Sequence, residues 1–260
     1  MKNIKLNGLE YFKFEKFGFN NLSQGFFTRN GGISPEPWNS LNLSTTGGDS
    51  RENVIENRKR IFDCINRDVN SLYDTWQVHG TKILNISSPR ELDKQPLKVD
   101  GIVTDNPQVT LMMRFADCVP ILIYDPEKKI IGLIHAGWKG TVNNIVSKAV
   151  AICLEKYGCE PGNLVAGIGP CICHEHYIIR EDVAKEVRKA FKIQSMEVLN
   201  TKFDGIHFDL IMANRILLER SGVKNIEESG MCTACDTGSW FSHRAEHGST
   251  GRFGAFITLG

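Results

Sequence analysis

Three residues of metal-ligating type, His79, Cys118 and His135, lie in separate segments that each read as the mouth of a strand: Gln77-Val78-His79-Gly80, Ala116-Asp117-Cys118-Val119-Pro120 and Ile134-His135-Ala136-Gly137-Trp138. A Cys with two His is the ligand set of a catalytic zinc. Three protein ligands leave the fourth tetrahedral position for water or substrate, whereas a structural site closes with four. The same thiol and imidazole could serve as nucleophile and base of a cysteine hydrolase, since a neighbouring His lowers a thiol pKa. Copper is the rival metal, because Cys with two His is also a blue-copper set and Met112 and Met113 lie close enough in sequence to supply an axial ligand. Seven histidines in all, two already used, are too few for a trinuclear copper cluster. A non-catalytic metal-binding protein is the reading outside enzymology.

The elements around these residues must bring them together. Val119 to Tyr124 and Ile130 to Ile134 are apolar and β-branched, with Asp125-Pro126-Glu127-Lys128-Lys129 between them, which reads as strand, turn, strand. With Pro126 and Glu127 as central turn residues, Asp125 faces Lys128, and counting outward sets Cys118 opposite His135, with Cβ atoms roughly 5 Å apart. A longer loop would shift that register. His79 arrives from a third segment, Leu72 to Ile86, read as a strand interrupted at His79-Gly80.

Helices are expected from a cap at Asp49 or Ser50 to about Ile65, from Gly140 or Thr141 to Gly158, from Glu181 to Phe191, and from Asp204 to Ser221. The second begins directly after His135-Ala136-Gly137-Trp138-Lys139, so its free amides are expected to face the site and hold phosphate. Further strands are expected at Leu164 to Ile168, Ile226 to Gly230 and Phe253 to Leu259, and residues 21 to 49 read as a long irregular loop. Hairpins mixed with helices, without regular βαβ alternation, predict an α/β (α+β) mixed-sheet layered sandwich, with residues 1–260 as a single domain.

Composition narrows the function classes. The 260 residues are 41% hydrophobic and 23% charged, with a formal net charge of +1, which gives no electrostatic case for nucleic acid or an anionic membrane. The start, Met1-Lys2-Asn3-Ile4-Lys5, leads into no signal-like apolar run, and no stretch approaches a membrane span, so a cytoplasmic location is expected. Eight cysteines in such a setting suggest reduced thiols or metal ligands rather than disulfides. Cys171-Ile172-Cys173-His174-Glu175-His176 and Cys232-Thr233-Ala234-Cys235 hold enough donors for a second, structural zinc. The one-residue gap between Cys171 and Cys173 disfavours it, since finger spacing is absent. The His-x-Glu and Pro-Cys-x-x-Cys pattern of nucleobase deaminases is not found.

Beyond these residues lies a run of ordered motifs: Thr28-Arg29-Asn30-Gly31-Gly32, Asp100-Gly101, Gly167-Ile168-Gly169-Pro170-Cys171-Ile172, Cys232-Thr233, Phe241-Ser242-His243-Arg244 and Thr250-Gly251-Arg252. With them, over most of its length, the chain resembles the YfiH family, also called the laccase-domain or multicopper polyphenol-oxidase family, now understood as purine nucleoside phosphorylases. That resemblance implies a Cys-His hydrolase-like mixed-sheet fold and zinc on His79, Cys118 and His135. It also implies phosphorolysis of adenosine, inosine and S-methyl-5'-thioadenosine, with some adenosine deamination. Purine nucleosides and phosphate are then the partners, and a homodimer is left open. Cys118, His135 and Asp117 are the expected catalytic groups, Asp117 steadying a ligand or shuttling a proton. Arg29, Arg244 and Lys139 are the expected substrate-binding cations. Two departures from the family pattern bear on substrate preference and rate. Ala245 replaces a second basic residue, and around Tyr177 the residues Cys173, His174 and Ile178 replace Gly, Pro and Glu.

Overall fold

Val119–Asp125 and Ile130–Ala136 are buried at every position, as strands covered on both faces must be. The computed structural model describes residues 1–260. In chain order the elements are β1 (Lys2–Leu6), β2 (Leu9–Lys13), β3 (Leu22–Phe27), α1 (Arg51–Cys64), β4 (Leu72–Tyr73), β5 (Ile83–Asn85), β6 (Gly101–Thr104), β7 (Thr110–Phe115), β8 (Val119–Asp125) and β9 (Ile130–Ala136). There follow α2 (Trp138–Val142), α3 (Ile145–Tyr157), β10 (Val165–Ile168), β11 (Ile178–Ile179), α4 (Glu181–Phe191), α5 (Ser195–Val198), β12 (Leu199–Lys202), β13 (Gly205–Phe208), α6 (Leu210–Arg220), β14 (Asn225–Glu228) and β15 (Phe253–Leu259).

Two six-stranded mixed sheets, ordered β1-β2-β3-β15-β7-β4 and β14-β10-β8-β9-β6-β5, make the frame, and β11-β13-β12 form a small third sheet. Alternation along the strands sorts the core into layers. Leu122, Tyr124, Ile131 and Leu133 of the second sheet meet Leu111, Met113, Ala255 and Ile257 of the first. The opposite residues, Ile121, Ile123 and Ile134, pack on Val146, Ala149 and Cys153 of α3 and on Ala213 and Leu217 of α6. Tyr11, Phe27, Met112 and Phe256 on the outer face of the first sheet pack on Ile61 and Phe62 of α1. The result is the expected mixed-sheet layered sandwich, with helices on both outer faces. No helix is long and apolar enough to cross a membrane.

The structure departs from the sequence reading at several elements. The β8–β9 turn is longer than two residues: Asp125 pairs with Ile130, and Pro120 rather than Cys118 stands opposite His135. The Asp125 side chain accepts the amides of Glu127 and Lys128, both at 2.9 Å, and Lys129 takes a left-handed conformation with φ 54°, so the loop closes with four residues. Cys118 is therefore the diagonal neighbour of His135.

The segment Leu72 to Ile86 is two short strands in different sheets. The helix expected from Gly140 to Gly158 is broken at Asn144, which is left-handed with φ 61°, so the long helix α3 does not start at the site. The last helix starts at Leu210, capped by Asp209, because residues before it pair as β12 and β13. Within residues 21 to 49, Leu22–Phe27 is a strand.

Candidate metal centre and its cavity

His79 stands in the loop between β4 and β5, Cys118 immediately before β8, and His135 near the end of β9. His79 has a left-handed backbone, φ 57°, which costs an L-residue roughly 1–2 kcal/mol. Asp100, fully buried just before β6, holds it there. Asp100 Oδ1 accepts the amides of Val78 at 3.1 Å and His79 at 2.9 Å, and Oδ2 accepts that of Gly80 at 2.7 Å. His135 Nδ1 lies 2.9 Å from the same Oδ1. An ionised carboxylate only accepts, so Nδ1 carries a proton, and Nε2 is the nitrogen on which a metal would displace the second one. Burial alone would raise the Asp100 carboxyl, but the hydrogen bond and charge of His135, with the Gly80 and Val78 amides, hold it below the usual carboxylate value.

The three side chains converge. Their donor atoms all lie within 4.8 Å of one another, and His79 Nδ1 is 3.9 Å from Cys118 Sγ. A tetrahedral zinc sets a bound nitrogen and a bound sulfur about 3.6 Å apart, given ordinary Zn–N and Zn–S lengths, so the donor set fits such an ion. Gly137 is what leaves room: a Cβ there would lie 2.8 Å from His79 Nδ1 and 3.1 Å from Cys118 Sγ. Burial pushes the Cys118 thiol up, but the charge of His135 and hydrogen bonds from His135 and His79 outweigh it and bring the pKa down to about 6. Burial depresses His135, yet Cys118 and Asp100 raise it to about 9. The thiolate, which is the metal-binding and the nucleophilic form, is thus the state this environment selects.

Asp117 is buried and left-handed, φ 87°. Its Oδ1 accepts from Thr233 Oγ1 and Ser242 Oγ, both at 2.7 Å, and its Oδ2 from the Arg244 amide at 2.7 Å. Its carbonyl accepts the Ile172 amide at 3.0 Å. The residue expected to steady a ligand or shuttle a proton fastens the Thr233 and Ser242–Arg244 segments through its side chain and the Ile172 segment through its carbonyl, all beside Cys118.

A cavity of about 570 Å³ opens over the three donors, within the range of small-molecule sites. Its walls carry Arg114, Arg252, Arg244 and Lys139, and the aromatic faces of Trp76, Trp138 and Tyr177; Asp117 is the only carboxylate that lines it. Arg114 donates to Thr75 O at 2.6 Å. Burial and the neighbouring guanidinium of Arg58 pull it down to about 10, against the attraction of Asp74, with Arg90 and Arg252 adding to the repulsion. Arg244 gives Nη1 to the carbonyls of His176 and Ile178, leaving Nε and Nη2 for a ligand. Lys139 is exposed and lies over the Trp138 ring.

Arg29 is not among the lining residues. It donates to Asn39 O, Thr237 O and Glu246 Oε1, each at 2.8 Å, and stacks on Phe241 at 4.3 Å, so its charge is spent within the fold. Met112 and Met113 are buried in β7 cores and line no part of the cavity, which removes the axial ligand weighed for blue copper. Asp100, buried behind the donors, and the cavity-lining Arg114, Ser44 and Thr46 were not legible as site residues. Asp100 and Arg252 belong to recognisable motifs, but nothing local to Arg114 distinguishes it from a surface arginine.

The model of the multi-copper polyphenol oxidoreductase laccase family matches residues 23–260. The chain is 36% identical over 243 residues to purine nucleoside phosphorylase YlmD of Bacillus subtilis, covering 90% of this chain and 87% of that protein. It is 37% identical over 238 residues to a purine nucleoside phosphorylase of Deinococcus radiodurans, covering 92% and 89%. Among solved structures it is similar to the hypothetical protein YfiH of Bacillus licheniformis, with a TM-score of 0.91, 33% identity and 97% of both chains covered. It is also similar to YlmD of Geobacillus stearothermophilus, with a TM-score of 0.92, 31% identity, and 98% and 97% covered.

Proposed function

The chain belongs to the multi-copper polyphenol oxidoreductase laccase family, and from that premise we propose that it is a zinc-dependent purine nucleoside phosphorylase. Adenosine, inosine and S-methyl-5'-thioadenosine are its proposed substrates, cleaved with phosphate to free base and the (methylthio)ribose 1-phosphate. The observation that carries this reading is one cavity that combines an open three-donor set with the half-buried guanidinium groups of Arg114 and Arg252 and three aromatic residues. The names of the Bacillus and Deinococcus relatives support it.

His79 Nδ1, Cys118 Sγ and His135 Nε2 are the proposed zinc ligands. Held there, the ion supplies Lewis acidity at its remaining position. Arg114 and Arg252 orient the phosphate, and Arg244 and Lys139 add positive charge at the wall. A phosphate oxygen forms the bond to the sugar carbon as the glycosidic C–N bond breaks through an oxocarbenium-like state. The base leaves with the electron pair and takes up a proton at the cavity mouth, where His243 and Lys139 stand. Trp76, Trp138 and Tyr177 offer faces against which the purine stacks.

Adenosine deamination is proposed as a minor companion reaction, because Asp117, the lining carboxylate, already accepts three hydrogen bonds and is poorly placed to move protons. One observation favours a second reading: Cys118, His135 and Asp100 form a relay of nucleophile, base and orienting carboxylate. His79 tips the balance, since a nucleophile needs one base and a metal needs the third donor. Incubation with inosine, with and without phosphate, tests the choice by following hypoxanthine release. Release that requires phosphate supports phosphorolysis; equal release without it selects a hydrolase; no release with either overturns both.

A further inference from the structure

Outside the cavity, Cys173, His176, Cys232 and Cys235 bring their donor atoms within 4.8 Å of one another. His176 Nδ1 lies 3.4 Å from Cys173 Sγ, 3.8 Å from Cys232 Sγ and 3.5 Å from Cys235 Sγ. We propose that these four residues form a second, structural zinc site. Tetrahedral zinc with ordinary Zn–S and Zn–N lengths sets nitrogen and sulfur about 3.6 Å apart, and one imidazole nitrogen stands near that distance from three separate sulfurs. With four protein donors the coordination shell is closed, unlike that of the set at Cys118. Three thiolates and one imidazole are the soft and borderline donors that zinc accepts in such sites.

The donors come as two pairs, Cys173 with His176 and Cys232 with Cys235, each separated by two residues. The Cys171 thiol, considered from the sequence, is not part of the set. It is fully buried in the helix-side core, while its backbone bridges to that of Cys232 and so draws the two segments together. The Cys173 amide points at Cys232 Sγ from 3.2 Å, the kind of outer hydrogen bond that steadies a metal-bound thiolate.

Neither segment has regular structure beyond that bridge, so a shared ion adds a cross-link to the bonds that Ile172 and Thr233 make to Asp117. What it braces is one wall of the cavity. Ile172 and Tyr177 line that wall, and Arg244 donates to His176 O and Ile178 O with its guanidinium 5.1 Å from the Tyr177 ring centre. The second ion takes no part in bond breaking; it holds Tyr177 and Arg244 in place.

The test is metal stoichiometry of the full chain purified under reducing conditions, in four forms: unaltered, His79→Ala, Cys173→Ser with Cys235→Ser, and all three changes together. The expected zinc content is two, one, one and none per chain. Loading the His79→Ala protein with cobalt is expected to give strong thiolate-to-cobalt charge-transfer absorption with tetrahedral d–d bands, lost on adding Cys235→Ser. A His79→Ala protein that binds no zinc and gives no such absorption overturns the site, as does a disulfide among Cys173, Cys232 and Cys235 under those conditions. The His79→Ala protein reports on the second site whether or not the chain is a phosphorylase.

Discussion

His135 Nδ1 donates to Asp100 Oδ1 across 2.9 Å, while the same carboxylate gathers the amides of Val78, His79 and Gly80. One buried acid thus orients two imidazoles that lie far apart in the chain. Substitution Asp100→Asn keeps the size but loses the charge and one acceptor. Zinc affinity at the His79 centre is expected to fall about 10–100-fold, measured by competition with a chelator in protein that also carries Cys173→Ser and Cys235→Ser. Unchanged affinity would show that Asp100 does not set the ligands.

Gly137 has an extended backbone, φ −77° and ψ 175°, which any residue can adopt, so its smallness matters for space alone. Gly137→Ala would drive a methyl against His79 Nδ1 and Cys118 Sγ. Its expected effect is loss of metal from that centre with a loss of stability of about 1 kcal/mol, since Gly ranks well above Ala at a helix N-cap. Full metal occupancy in a correctly folded Gly137→Ala protein would contradict the geometry.

Arg252 and Arg29 are expected to separate binding from folding. Removing the Arg252 guanidinium, a charge-assisted donor worth about 1.5–3 kcal/mol, should raise the KM for phosphate roughly tenfold or more. Arg29→Ala instead leaves Glu246 unpaired beside a buried site, which is expected to cost about 3 kcal/mol of stability in a urea titration without altering that KM by more than about twofold. The reverse pattern would restore Arg29 as the phosphate clamp.

Phosphate itself should stabilise the fold. Arg114 is held down to about 10 by burial and by repulsion from Arg58, with Arg90 and Arg252 contributing, and an anion in the cavity beside Arg114 and Arg252 offsets that repulsion. A rise in Tm with phosphate, larger than with chloride at equal ionic strength and lost in Arg114→Ala, is the expected outcome. Equal shifts with both anions would indicate general screening only.

The pH dependence of thiol reactivity follows from the same centre. Burial opposes ionisation of Cys118, but His135 and His79 more than compensate, so its pKa is about 6 and the thiolate fraction grows as pH rises through that value. In metal-stripped protein, alkylation of Cys118 by iodoacetamide, followed on the Cys118 peptide, should reach its plateau below pH 8; His135→Ala should move the midpoint upward. Zinc should block the reaction in the unaltered protein. A midpoint near that of a free thiol would remove the electrostatic account of this site.

The ligand set was legible because its chemistry resides in residue type and because apolar runs with turn residues fix where strands β8 and β9 begin and end. Their register was not, since Asp125 capping two amides and Lys129 turning left-handed are decided by local geometry that residue identity only permits. Convergence survived the error because diagonal cross-strand neighbours on one face still meet. Asp100 was hidden for a different reason: its role comes from amides and an imidazole supplied by other segments. Asn144 likewise split a helix whose periodicity reads as continuous. The second cluster was obscured by Cys171, which competes in sequence with His176 but points into the core.

The most direct test of the central proposal measures two quantities on one sample, zinc at the His79, Cys118 and His135 centre and phosphate-dependent release of hypoxanthine from inosine, in the unaltered protein and in His79→Ala. The expected result is that His79→Ala loses one zinc per chain and the activity together. Full phosphate-dependent activity in His79→Ala with that zinc gone would contradict it.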